Sequence, residues 1–135
     1  MSALTRRFVS LVIACGVALG VVALMDHLAA GATSRPAGEH ESVKVAMEAG
    51  QIPFNALLLV LGGWLVAAYL GSTIASRLSG ERVTAQIFAA VLTLTILVTQ
   101  LQPTHPVWMW IGGLLGAPLI ALGAAGESIT VRTSR

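Results

Sequence analysis

Few residues in this 135-residue chain can carry chemistry: one cysteine, three histidines, six carboxylates and eight basic side chains. Asp26 and His27 follow a long apolar run, and His105 lies in a polar turn far downstream. Imidazole and carboxylate are the ligand types that bind zinc and similar divalent ions, and imidazole changes charge near neutral pH. Convergence of Asp26, His27 and His105 is therefore the candidate metal or proton-sensing site, with His40, Glu39, Glu41 and Glu48 on the same side of the chain's expected topology. Their spacing matches no metal-ligand pattern, and polar loop residues facing water need no special role. Solvated loop groups, with no metal and no cofactor, are the expectation.

Gln86, Thr93 and Gln100 form a second set, spaced by seven and so on one helix face. At about 1.5 Å per residue they span most of a membrane. One reading makes them a polar track along a permeation path or substrate groove. The other makes them interhelical hydrogen bonds worth on the order of 0.6 kcal/mol each, beside threonines bonded to their own helix. The second is preferred, because intramembrane pathways usually carry an ionisable group and none lies deep in this segment. The sequence has no Cys-x-x-Cys, no nucleophile elbow and no His-Glu-x-x-His. No enzyme is expected, and the lone Cys15 allows no internal disulfide.

A membrane bundle must position these residues. The chain is 56% hydrophobic and only 10% charged, with a mean hydropathy of +0.83, far outside the soluble range. About 20 apolar residues cross a bilayer, and four such blocks predict helices at about 8–25, 53–76, 83–101 and 107–126. Short links make them one domain over 1–135, an all-α integral membrane four-helix bundle of antiparallel up-down topology. In the outer loop, 26–52, Val43, Ala46 and Met47 at helical spacing predict a short interfacial helix, with an irregular loop as the equal alternative. The net charge is +2 and the pI about 9.3, but the basic residues stand at segment ends rather than in a patch. The partner is the lipid bilayer, not nucleic acid.

The block at 53–76 organises the rest. Gly63, Ala67, Gly71 and Ala75 recur every four residues, forming a face that lets another backbone approach closely in lipid. Gly16 with Gly20, and Gly112 with Gly116, offer the same in the first and last helices. Such faces suit helices of this chain, a second copy in a homo-oligomer, or a partner membrane protein. Trp64 falls mid-helix, Trp108 and Trp110 stand where an interfacial aromatic belt belongs, and Pro118 predicts a kink.

Arg6, Arg7, Arg77, Arg82, Arg132 and Arg135 fall on one side of a four-span path, and only Arg35 and Lys44 on the other. The positive-inside tendency then places both termini in the cytoplasm. Residues 1–32 carry a signal-like Ala30-Gly31-Ala32 and a lipoprotein-box-like Val12-Ile13-Ala14-Cys15. The apolar run is too long for a signal core, so the segment is expected to be retained as a helix.

The order of features resembles a group of uncharacterised small four-span bacterial membrane proteins. The resemblance rests on Asp26-His27, Ile52-Pro53, then Trp64, Gly71, Ala75, Arg77 and Gly80, and finally His105-Pro106-Val107-Trp108 before a Gly- and Pro-containing last helix. It covers nearly the whole chain and implies a bacterial inner-membrane protein without implying an activity; Gly71-Ser72 stands where such proteins often show Gly-Gly. A structural or interaction subunit is the first expectation, and a small-molecule or ion transporter or channel component the alternative.

Overall fold

The computed structural model describes residues 2–32, 54–100 and 106–133, with the side chains of Ala32, Gln100 and 127–133 outside that description. Among the described residues every regular element is helical: α1 (Ala3–Ala32), α2 (Phe54–Ser79), α3 (Arg82–Gln100) and α4, which runs from Val107–Ile111 through π-helical Gly112–Gly116 into Ala117–Thr133. All four are long and apolar enough to cross a membrane, where a helix satisfies its own backbone. The chain is a multi-pass membrane protein built as an all-α four-helix bundle.

Two helices are longer than their apolar runs. α1 begins at Ala3, not near residue 8, because Ser2 caps it: the Ser2 hydroxyl accepts from the Thr5 amide at 3.2 Å and lies 2.7 Å from the Thr5 hydroxyl. It also runs past residue 25, so Asp26 and His27 are helical residues and not loop residues. α4 continues through Gly123 and Gly126 to Thr133 instead of ending near residue 126. Glycine stops a helix through a left-handed conformation, and among the described residues only Gly80 adopts one, at φ 73°. That position is the α2–α3 turn, where the Gly80 amide donates to Ser76 O at 2.8 Å and the Ser79 hydroxyl accepts from the Glu81 amide at 3.1 Å. The segment expected as an interfacial helix, 41–49, lies outside the described residues.

Contacts fix the direction of each helix. Met25 packs on Gly63 while Arg7 reaches Glu81, equal separations on the two helices, so α1 and α2 are antiparallel. Phe88 lies over Gly71, as the hairpin about Gly80 requires. Gly112 meets Leu61 and Gly116 meets Leu65, so α4 runs parallel to α2. The Ser72 hydroxyl donates to Ala121 O at 2.5 Å and ties this pair together nearer the other end. One end of the bundle therefore gathers Arg6, Arg7, Arg77, Glu81 and Arg82. The opposite end holds Asp26, His27 and the tilted Phe54–Trp108 ring pair, centroids 5.3 Å apart.

α2 packs on all three other helices, and α1 packs chiefly on α2. Gly63, Ala67, Gly71 and Ala75 are all buried. A Cβ on Gly63 would come within 2.7 Å of Met25 Cβ, and one on Gly71 would overlap the Phe88 ring. α4 approaches α2 through glycine too: a Cβ on Gly113 would meet Trp64 at 3.0 Å and Ile96 at 3.2 Å. A π-helical stretch, Gly112–Gly116, lies just before Pro118, where a kink is expected, and such a bulge is one way a helix accommodates a missing proline amide. Gly16 and Gly20 differ from expectation, since neither would meet any atom within 4 Å. α1 packs instead through Ser10, Ala14 and Ala18, all buried. These recur at the same four-residue step but lie on nearly the opposite side of the helix from the glycines.

Gly71→Leu must displace Phe88 and should lower stability by about 1–3 kcal/mol, whereas Leu58→Ile, on the exposed side of α2, should change it little. Thermal unfolding in detergent measures both. Equal midpoints would show that the buried face does not hold the bundle.

Candidate functional site

A groove opens between α1 and α3, with α2 as its floor. Its volume is about 170 Å³, and its lining includes Cys15, Leu19 and Val22 from α1, Trp64 from α2, and Phe88, Leu92, Thr95 and Thr99 from α3. The two helices meet toward the basic end, where Ala14, Ala85 and Phe88 share a buried cluster. Beyond Phe88 the space between them is filled by neither, and Trp64, 6% exposed, closes the back. Trp64 is thus a core residue whose ring packs on Gly113 and also faces the groove.

The groove is hydrocarbon in character, because its hydroxyls are committed to backbone. Thr95 donates to Val91 O at 2.9 Å and Thr99 to Ile96 O at 2.8 Å, the back-bonding that lets threonine sit in an apolar helix. Thr93, from the expected polar seam, does the same with Ala89 O at 2.8 Å. Gln86 is exposed on the surface of α3, and the Gln100 side chain lies outside the described residues. Gln86 and Thr93 therefore make no described interhelical bond and no continuous polar track. The geometry accommodates an alkyl or ring group and presents no carboxylate, imidazole or basic side chain to an ion.

Of the acidic and imidazole candidates Asp26, His27 and His105, the first two fall among the described residues. Asp26 and His27 are both exposed in the last turns of α1, and His105 lies outside the described residues. Among the described residues no three His, Cys, Asp or Glu side chains are grouped closely enough to hold a metal. At the other end, the Arg7 guanidinium pairs with Glu81 at 2.5 Å and that of Arg6 stands 4.0 Å from it. This pairing has no local sequence signal, since its members lie in different helices. The polar groups buried near it are mostly satisfied: Ser10 donates to Arg6 O at 2.7 Å and Ser79 to Ala75 O at 2.6 Å. The buried Thr84 hydroxyl finds no partner among the described residues.

A thiol reacts as its thiolate, which needs water. Cys15 in native membranes should therefore resist a charged maleimide and react once the protein is unfolded in sodium dodecyl sulfate. Labelling in native membranes at the rate of a soluble thiol would show that water fills the groove. No family model, curated protein or solved structure matches this chain.

Proposed function

We propose that this chain is a non-catalytic structural or interaction subunit of a membrane assembly, working through helix contact and offering the outward side of α1 to the same helix of a second copy. The observation that carries the reading is a contrast among glycines. Gly63, Gly71 and Gly113 lie against neighbouring side chains, whereas Gly16 and Gly20, like Gly31, Gly62, Gly123 and Gly126, face open space; those at 16 and 20 alone stand at a four-residue step, with Ala23 exposed on the same side one turn on. A glycine inside a helix costs backbone entropy. In lipid it is compensated when a second backbone packs against it at the four-residue step.

The alternative, a transporter or channel component, draws on the groove between α1 and α3. Its hydroxyls, bonded back to their own helix, favour an apolar guest over an ion, and no carboxylate, imidazole or basic side chain lines it. The location that fits both readings is a bacterial inner membrane with both termini in the cytoplasm, supported by the six-to-two division of basic residues between the two sides.

Mass measurement in a mild detergent should find a dimer. Gly20→Leu should shift it toward monomer while leaving the unfolding midpoint of the monomer unchanged, because position 20 touches nothing within the chain. A wild type that is monomeric, or a dimer indifferent to this substitution, would assign the outward side of α1 to lipid.

A further inference from the structure

We propose that the basic end of the bundle binds an anionic phosphate group, and that its occupant is the headgroup of an anionic phospholipid in the leaflet on that side. The inference does not depend on the subunit reading above. Arg6 and Arg7 of α1 converge on Glu81, at 4.0 and 2.5 Å. Arg82 follows Glu81 in sequence, and Arg77 stands in the last turn of α2. Among the residues whose side chains are described, four guanidiniums thus share this end with one carboxylate, that of Glu81, a surplus of three positive charges. Two helices start here and two end, so their dipoles largely cancel and the arginines set the field.

Depth and chemistry select the ligand. From Arg7 to Asp26, α1 rises about 30 Å at 1.5 Å per residue, the thickness of the hydrocarbon core. The arginines consequently stand in the headgroup layer, where phosphates are the abundant anions. The side chains of Arg6 and Arg7 remain 49% and 44% exposed after pairing with Glu81. Each guanidinium carries five donors in a planar fork, suited to bidentate contact with phosphate oxygens. Glu81 holds Arg7 beside the α2–α3 turn, so part of the ordering needed for binding is already done. Basic clusters between membrane helices are where anionic headgroups bind.

The test uses full-length protein in phosphatidylcholine nanodiscs, followed by thermal unfolding and by native mass spectrometry of retained lipid. Phosphatidylglycerol should raise the unfolding midpoint saturably and remain bound. Phosphatidylcholine, with a phosphate but no net charge, should not remain bound, and millimolar inorganic phosphate should not raise the midpoint. Arg6→Gln with Arg82→Gln should weaken phosphatidylglycerol binding at least fivefold, with its midpoint in phosphatidylcholine near that of wild type. Arg82→Lys, which keeps the charge and removes the fork, should weaken it by a smaller factor and serves if the double variant folds poorly. Equal retention of the two lipids, or unchanged affinity in both variants, would overturn the site. A response to inorganic phosphate as large as that to lipid would overturn the headgroup as its occupant.

Discussion

The bundle depends on how closely other side chains can approach the backbone of α2. Inside a bilayer, moving an apolar side chain from lipid to protein gains little, so helices associate through packing density and a few hydrogen bonds. Glycine and alanine at 63, 67, 71 and 75 supply that density by leaving room at the helix surface. The Phe88 ring lies over Gly71 and Met25 lies over Gly63, so α3 and α1 are each fixed by a large side chain on a bare stretch of α2. α4 reverses the roles, with its glycines 112, 113 and 116 receiving Leu61, Trp64 and Leu65 from α2. A side-chain hydrogen bond between two spans, from Ser72 to Ala121 O, joins the two helices already in closest parallel contact.

The same constraint explains where the bundle is incomplete. α2 has α1 and α3 on its small-residue side, and these two meet only toward the Arg7–Glu81 end. Toward the opposite end Leu19 and Val22 on one wall face Leu92 and Thr95 on the other across the groove. Threonine hydroxyls turned back onto their own carbonyls keep that space apolar. Any guest there is held by shape and dispersion, while the surface arginines at the other end act through charge. The two ends of the molecule thus offer different kinds of contact to the membrane.

The helices and the small-residue face of α2 were legible because both are periodic and local. The packing face of α1 was legible in principle, since Ser10, Ala14 and Ala18 keep the same four-residue step as Gly16 and Gly20. Glycine drew the weight because it permits the closest approach, yet alanine and serine suffice on α1 where α2 supplies small residues such as Ala67 and Ala75 opposite them. The ends of α1 and α4 were obscured because charged residues look like helix ends, although a helix that leaves the hydrocarbon loses nothing by continuing into water. The Arg7–Glu81 pair, the Ser72–Ala121 bond and the groove all arise between segments distant in sequence, and no local pattern announces them. In the seam of Gln86, Thr93 and Gln100, the Thr93 hydroxyl is bonded within its own helix, as the preferred reading of its threonines expects, and the Gln86 side chain is exposed.

The central claim is that α1 and α2 lie antiparallel with Met25 against Gly63, and paired cysteines test it in native membranes. In a Cys15→Ala background, Met25→Cys with Gly63→Cys should form an intramolecular disulfide on mild oxidation, since neighbouring Cβ atoms come within bonding reach after a small shift. Gly20→Cys with Gly63→Cys should form none within the chain, because residue 20 faces away from α2. Efficient intramolecular closure of the second pair, or failure of the first, would contradict the packing from which the rest of the account is built.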